Sequence, residues 1–302
     1  MIYEVFSYGM ISTSNLILLE NSFPEKDHYA EVKTRFKMTG GEAANSSIVL
    51  SKLGIKVKLD GNWLGDNEED LYTIRLLNGF KIDTTRINIK KDYRGPNELV
   101  IADNSTRTIF GTYGNLFSAG RKWNIVNEED IENAKIVCLD PFFKDESKIV
   151  SEICIKNRIP YVTVDCRYED EISQNAEVII ISGEFRGHQY QNISKEELFK
   201  LYAKKCKGLV IFTSGKEDIL YARNNGDIDR MKPFEVEVID TAGAGDSFRS
   251  GIIYGLLNGW SDKKAIRFAA ALSSLVCNSF PGVLNSPGLE KVEEFVNSCS
   301  LS

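Results

Sequence analysis

Six runs of four or five residues, Ile2–Phe6, Lys56–Asp60, Ile136–Leu139, Tyr161–Val164, Val178–Ile181 and Leu209–Thr213, read as strands, and several are continuously apolar. A strand that does not alternate with polar residues is buried on both faces, which an exposed sheet does not allow. Helical patterns lie between them, around residues 42–53, 66–78, 146–157 and 195–206, and three more follow near 246–258, 261–278 and 287–298. Strands separated by helices form a parallel sheet with helices on both faces. The reading is a three-layer α/β/α sandwich with a mostly parallel central sheet. No internal repeat or low-complexity linker divides residues 1–302, so one domain is expected.

A second kind of segment is interleaved with the start of this body. Leu16–Leu19, Tyr29–Phe36, Glu98–Ala102 and Arg107–Gly111 read as short strands, the last two flanking the turn-rich Asp103-Asn104-Ser105-Thr106. They predict a small β-sheet lid built from about 12–38 and 95–113. The alternative is an edge hairpin that extends the main sheet.

Near the C-terminal end, Asp240-Thr241-Ala242-Gly243-Ala244-Gly245-Asp246 leads into Phe248, Ile252, Ile253, Leu256 and Leu257 at helical spacing, with Gly259 as a stop. A small-residue turn at a helix entrance points backbone N–H groups at one spot, and the helix dipole adds to their pull on an anion. Asp246 at that mouth is electrostatically costly unless it has a task, such as taking a proton from an attacking hydroxyl. The plainer reading is a Gly-rich connection whose Asp caps the helix. Upstream, Gly40-Gly41 precede a segment ending at Leu53-Gly54, a turn followed by a helix and a Gly stop, with Asn45 in the first turn offering both donor and acceptor.

These two segments, together with Gly61-Asn62-Trp63-Leu64-Gly65-Asp66, resemble the two signatures of the ribokinase-like, or PfkB, carbohydrate kinases. The resemblance covers nearly the whole chain. It implies ATP-dependent phosphorylation of a hydroxyl on a sugar or sugar-like molecule, with a lid over the sugar that often pairs with the lid of a second subunit. It implies that Asp246 is the catalytic base and that Ala242, Gly243, Ala244 and Gly245 form the anion hole. By the same resemblance Gly40, Gly41 and Asn45 contact the sugar, and Thr213, Gly215 and Asn278 approach the nucleotide. Asp240 and Thr241 occupy positions that in many relatives hold a potassium-like monovalent cation, K+. Magnesium (Mg2+) is expected to bridge the β- and γ-phosphates.

Departures from that pattern are visible. Relatives commonly carry an Asp soon after the first strand's Gly, whereas Gly9 here is followed by Met10-Ile11-Ser12-Thr13-Ser14-Asn15, making Asn15 the counterpart. Ile181 replaces the Asn of an Asn-x-x-Glu that organises magnesium-bound water, while Glu184 survives. Among the few basic residues, Arg107 lies in the lid and is expected, like Asn15, to contact the substrate. Arg249, three positions past Asp246, either binds a phosphorylated ligand or pairs with a nearby acid.

A ketose or fructose-type acceptor is favoured over ribose, a 2-keto-3-deoxy sugar acid and an adenosine-type nucleoside. The alternative from another class is an inactive protein that senses sugar or nucleotide. No Gly-x-Gly-x-x-Gly follows the first strand, which argues against a dinucleotide-dependent oxidoreductase. With net charge −6 and no basic run, nucleic acid and anionic membranes are not expected partners. The six cysteines show no close pairing and only two histidines occur, so neither a disulfide framework nor zinc is expected. No stretch is long and apolar enough to span a bilayer, and a cytoplasmic protein is expected.

Overall fold

The structure, a computed structural model, describes residues 3–103, 106–118 and 120–299. In chain order its first elements are β1 (Val5–Gly9), β2 (Ser12–Leu19), β3 (Val32–Gly40), α1 (Glu42–Lys52), β4 (Val57–Gly61), β5 (Leu64–Gly65), α2 (Glu68–Gly79), β6 (Ile89–Lys90), β7 (Asn97–Ala102) and β8 (Arg107–Gly111). Next come α3 (Gly114–Ser118), α4 (Glu128–Glu132), β9 (Ile136–Leu139), α5 (Asp145–Asn157), β10 (Tyr161–Val164), α6 (Glu171–Asn175), β11 (Val178–Ile181) and α7 (Gly183–Gln189). The remainder is α8 (Lys195–Lys205), β12 (Leu209–Phe212), β13 (Ile219–Arg223), β14 (Asp229–Met231), α9 (Ala244–Leu257), α10 (Asp262–Cys277) and α11 (Leu289–Ser298).

The main sheet runs β14-β13-β12-β11-β10-β9-β1-β4, parallel from β12 to β4, with β13 and β14 antiparallel at one edge. The continuous apolar runs follow from this position. Side chains alternate between faces, and here both faces are covered. In β11, Ile179 and Ile181 join a cluster with Phe199 and Tyr202 of α8, while Val178 and Ile180 join Phe248 and Ile252 of α9 and Ala269 of α10. The mostly parallel three-layer sandwich is the architecture expected.

Two details differ from the sequence reading. The first strand is Val5–Gly9 instead of Ile2–Phe6, and Met1 and Ile2 lie outside the described residues. The pairing carries on to Gly9↔Gly61, where a Cβ on Gly61 would lie 1.9 Å from the Gly9 carbonyl oxygen. These glycines are close-approach strand residues. The antiparallel β13 and β14 were not anticipated.

β3-β2-β7-β8 form a separate four-stranded sheet, so these strands do not extend the main one. Asn104 and Ser105 of the β7–β8 turn lie outside the described residues. The sheet has two distinct faces. Thr13 meets Asp70 and Thr73 of α2, and Lys37 stacks 5.4 Å from the Tyr72 ring, so that face looks at α2. On the other face Leu16, Met38 and Val100 share a core with Ala242, Phe280 and Val283.

Helices α9 and α10 touch where α9 has no side chains. A Cβ on Gly251 would lie 2.5 Å from Ala269 Cα, and one on Gly255 2.6 Å from Ala265 Cβ. Gly251→Val forces the helices apart and is expected to lower stability by about 1–3 kcal/mol. A urea unfolding midpoint equal to that of the native chain would contradict this packing.

Candidate active site

In a parallel sheet the strands' C-terminal ends lie along one edge, and side chains just beyond them converge there. Asp140 follows β9 directly and Arg249 lies in the first turns of α9. Both are fully buried, and Arg249 Nη1 is 2.5 Å from Asp140 Oδ1. The guanidinium also donates through Nε to Ser46 Oγ at 3.0 Å and through Nη2 to the Glu42 carbonyl at 2.6 Å. Asp140 Oδ2 accepts from the amides of Met10 at 2.8 Å and Ala43 at 3.1 Å. Gly9 makes room, because a Cβ there would sit 2.0 Å from that oxygen. One ion pair thereby joins β9, the β1–β2 connection, α1 and α9.

This arrangement fixes Asp246. Its Oδ2 accepts from Asn45 Nδ2 at 2.9 Å, and its Oδ1 lies 4.0 Å from Arg249 Nη2. Its backbone carbonyl accepts from Ser46 Oγ at 3.3 Å and Ser250 Oγ at 2.8 Å. Burial pushes the Asp246 carboxyl up to about 6, with Arg249, Asn45 and Arg107 opposing and Asp140 reinforcing the rise. A carboxylate held there is ionised at neutral pH and a better proton acceptor than an exposed one.

The turn before α9 is built as expected but uses its amides unequally. Gly243 has φ 76, and a Cβ would meet Val283 Cγ2 at 2.1 Å. The Ala242 amide is spent on Asp240 Oδ1 at 2.8 Å and that of Ala244 on the Thr241 carbonyl at 3.3 Å. The amides of Gly243, Gly245 and Asp246 have no hydrogen-bond partner among the described residues. A Cβ on Gly245 would meet open space.

Gly40 and Gly41 sit beside this centre. A Cβ on Gly40 would fall 2.1 Å from Glu98 Oε1 and 2.6 Å from Ser12 Oγ; Gly41 has φ 86 against the Met10 carbonyl. Tyr113 donates its hydroxyl to Glu98 in a short bond. Arg107 reaches from β8 to the carbonyl and hydroxyl of Thr241, tying the lid to the turn before α9. A second group lies at the ends of β11 and β12. The Thr213 amide bonds the Ile181 carbonyl at 3.0 Å, Gly215 turns with φ 50, and Ser214 packs on Gly183, the residue before Glu184.

One expectation is corrected. Asn15 pairs with Lys37 and Leu99 on the lid face turned toward α2, so strand alternation takes it away from the site and presents Ser12 and Ser14 there instead. Asp240 and Thr241 are each held by neighbouring groups. Both Asp240 oxygens accept amides, from Ala242 and Gly282, and Arg107 caps Thr241 with a positive charge. Asn278 spends its Nδ2 on the Glu237 carbonyl at 2.9 Å and fastens the segment before Asp240. Arg249 is the buried partner of an acid, and each of its three nitrogens donates to Asp140, Ser46 or the Glu42 carbonyl.

No group of three or more His, Cys, Asp or Glu residues forms a metal cage among the described residues. Glu184 is exposed, and it and half-buried Asp165 are near enough that Glu184 helps burial raise the Asp165 carboxyl. Both Asp165 oxygens accept from Ser182, and Glu184 in the first turn of α7 offers a hard oxygen donor that fits a magnesium ion held largely by water and phosphate. Asp140, Asp165 and the site role of Glu98 escaped the sequence reading. The first two carried a signal, an acid placed directly after an apolar strand.

A carboxylate at an amide-lined helix entrance, on the C-terminal edge of an α/β sheet and under a β lid, is the arrangement of a small-molecule phosphotransferase. The profile of the pfkB family carbohydrate kinases matches residues 4–287. The 5-dehydro-2-deoxygluconokinase of Geobacillus thermodenitrificans is 24% identical over 295 residues, covering 88% of this chain and 86% of that protein. A solved structure from Agrobacterium tumefaciens superposes with TM-score 0.88 at 19% identity over 99% of both chains. The ribokinase of Arabidopsis thaliana, complexed with ribose and ATP, gives TM-score 0.78 at 18% identity, covering 98% of this chain and 99% of that one. The chain belongs to the pfkB family of carbohydrate kinases and is an ATP-dependent kinase of sugar-type acceptors.

Asp140→Asn leaves the Arg249 guanidinium buried without its counter-charge, and about 3–5 kcal/mol of stability is expected to be lost. Thermal and urea unfolding measure it; a loss under about 1 kcal/mol would mean the pair is dispensable.

Proposed function

We propose that this kinase phosphorylates a hydroxyl of a ketose-type sugar, with Asp246 as the general base and the Gly243, Gly245 and Asp246 amides as the anion hole. The observation that carries the reading is the Asp246 carboxylate, held by Asn45 beside those unpartnered amides. The acceptor hydroxyl gives its proton to an Asp246 carboxylate oxygen as its own oxygen attacks the γ-phosphorus. The amides stabilise charge developing on the transferred group, and the dipole of α9 adds to them. Gly40, Gly41 and Asn45 orient the acceptor from α1, while the Arg107 contact to Thr241 keeps the lid over it and water out. Thr213 and Gly215 line the nucleotide side. Magnesium, when bound near Glu184 and Asp165, offsets the charge of the phosphates.

The choice of acceptor rests on what the cleft lacks. Phe110 pairs with Leu99 on the face turned toward α2, so it offers no stacking surface for a nucleoside base. The cations nearest Asp246 are committed, Arg249 to Asp140 and Arg107 to Thr241, which disfavours a sugar acid such as the one the Geobacillus relative is named for. Val32, Ile109 and Phe110 leave about half of their surface exposed on the lid, apolar cover that a second copy of the lid would bury.

ADP release with magnesium and ATP across ketoses, aldoses, sugar acids and nucleosides tests the assignment. Asp246→Asn is expected to lose about 10²- to 10⁴-fold in kcat while still binding ATP. A variant that turns over normally removes Asp246 from the chemistry. Because the carboxyl sits near 6 and must be ionised to act, kcat/KM is expected to fall tenfold per pH unit below about 6 and to level off above it. A flat profile from pH 5 to 8 would contradict the base role.

A further inference from the structure

We propose that Glu42 selects the acceptor, and that the acceptor is a polyhydroxylated compound carrying a protonated amine. The inference rests on the kinase reading above and names the acceptor class within it. Glu42 is the first residue of α1, directly after Gly41, and its carbonyl is fixed by Arg249 Nη2 at 2.6 Å. Its carboxyl has its own backbone N–H as a donor and makes no hydrogen bond or ion pair to another described residue. Other charged and titratable groups surround it from each packed element. Asp140 stands beyond β9, Asp246 and Arg249 on α9, and Tyr113 beyond β8, itself bonded to Glu98 of β7.

The balance of charge is one-sided. Glu98 stands beside Gly40, Asp246 beside Asn45, and Glu42 is near enough to Asp246 and Asp140 to feel their charge, while Arg249 donates to Asp140, Ser46 and a carbonyl, and Arg107 to Thr241. An acceptor carboxylate would add a further negative charge with no uncommitted cation nearby. Burial, reinforced by Asp140 and Asp246 and opposed by its own amide and by Arg249, pushes the Glu42 carboxyl up to about 8, so that without a bound cation it holds a proton at neutral pH. A neutral hydroxyl gives a hydrogen bond but no charge that would let Glu42 ionise. A protonated amine supplies both the donor and the charge. Independently, Asn45 Oδ1 is buried without a partner and calls for a donor from the acceptor.

Matched acceptors isolate the charge: D-fructose, 1-amino-1-deoxy-D-fructose and 2-keto-D-gluconate share one skeleton, with glucose and glucosamine as a second pair. Binding is read by calorimetry with a non-hydrolysable ATP analogue and magnesium, and turnover by ADP release. The amine is expected to bind about ten- to a hundredfold tighter than its neutral counterpart in at least one pair, the gain of a charge-assisted bond. Glu42→Gln is expected to bring that ratio to about one, and Glu42→Asp to retain most of it, both variants melting with the native chain as the check on folding. Tightest binding by the acid, equal binding or no binding within the pairs, or a ratio untouched by Glu42→Gln overturns the proposal. Amine binding that depends on Glu42 without ADP release sinks the kinase reading and leaves this one standing. ADP release from neutral acceptors at a ratio near one does the reverse.

Discussion

The pairing of Arg249 with Asp140 is the contact from which the rest of the site takes its geometry. Two charges are removed from water completely, and an apolar pair of similar volume would serve stability as well or better. What an apolar pair cannot do is accept the amides of Met10 and Ala43 and donate to Ser46 and the Glu42 carbonyl. Those bonds set the β1–β2 connection, the entrance of α1 and the entrance of α9 at fixed distances from one strand end. Gly41, Asn45 and the carboxylate of Asp246 therefore belong to one unit.

Around that unit the sheet supplies order and the lid supplies closure. The parallel strands bring Gly9, Asp140, Asp165, Glu184 and Thr213 to one edge although up to about two hundred residues separate them in the chain. The inner face of the small sheet packs on Ala242, Phe280 and Val283 and is pinned by Arg107 to the turn before α9. The price of such enclosure is that carboxylates are gathered with little water to screen them. It raises both Asp246 and Glu42.

Much of this was legible beforehand. Runs such as Val178–Ile181 announced buried parallel strands because no half-exposed strand is apolar throughout, and the four described inner strands from β9 to β12 fall within a residue of where their apolar runs lie. Asp246 with its glycines was readable because a carboxylate at an anion site is costly enough to require a reason. Asn15 misled because spacing along the chain says nothing of which face of a strand a residue takes, and the register with β3 and β7 turned it toward α2. The contact of Thr241 was not legible because the guanidinium that caps it lies 134 residues away in the chain.

The sequence by itself determined the layers, the order of helices and strands, and the position of the helix entrance with its carboxylate, since each follows from periodicity and from conformations that only small residues adopt. Tertiary structure alone decided which charges meet. Arg249 and Asp140 are separated by 109 residues, Arg107 and Thr241 by 134, and Asn45 and Asp246 by 201. Local propensity carries no information about such pairs. They form only when the sheet has aligned its strand ends, because electrostatic attraction between side chains acts over a few ångströms and the chain's path decides who is within reach.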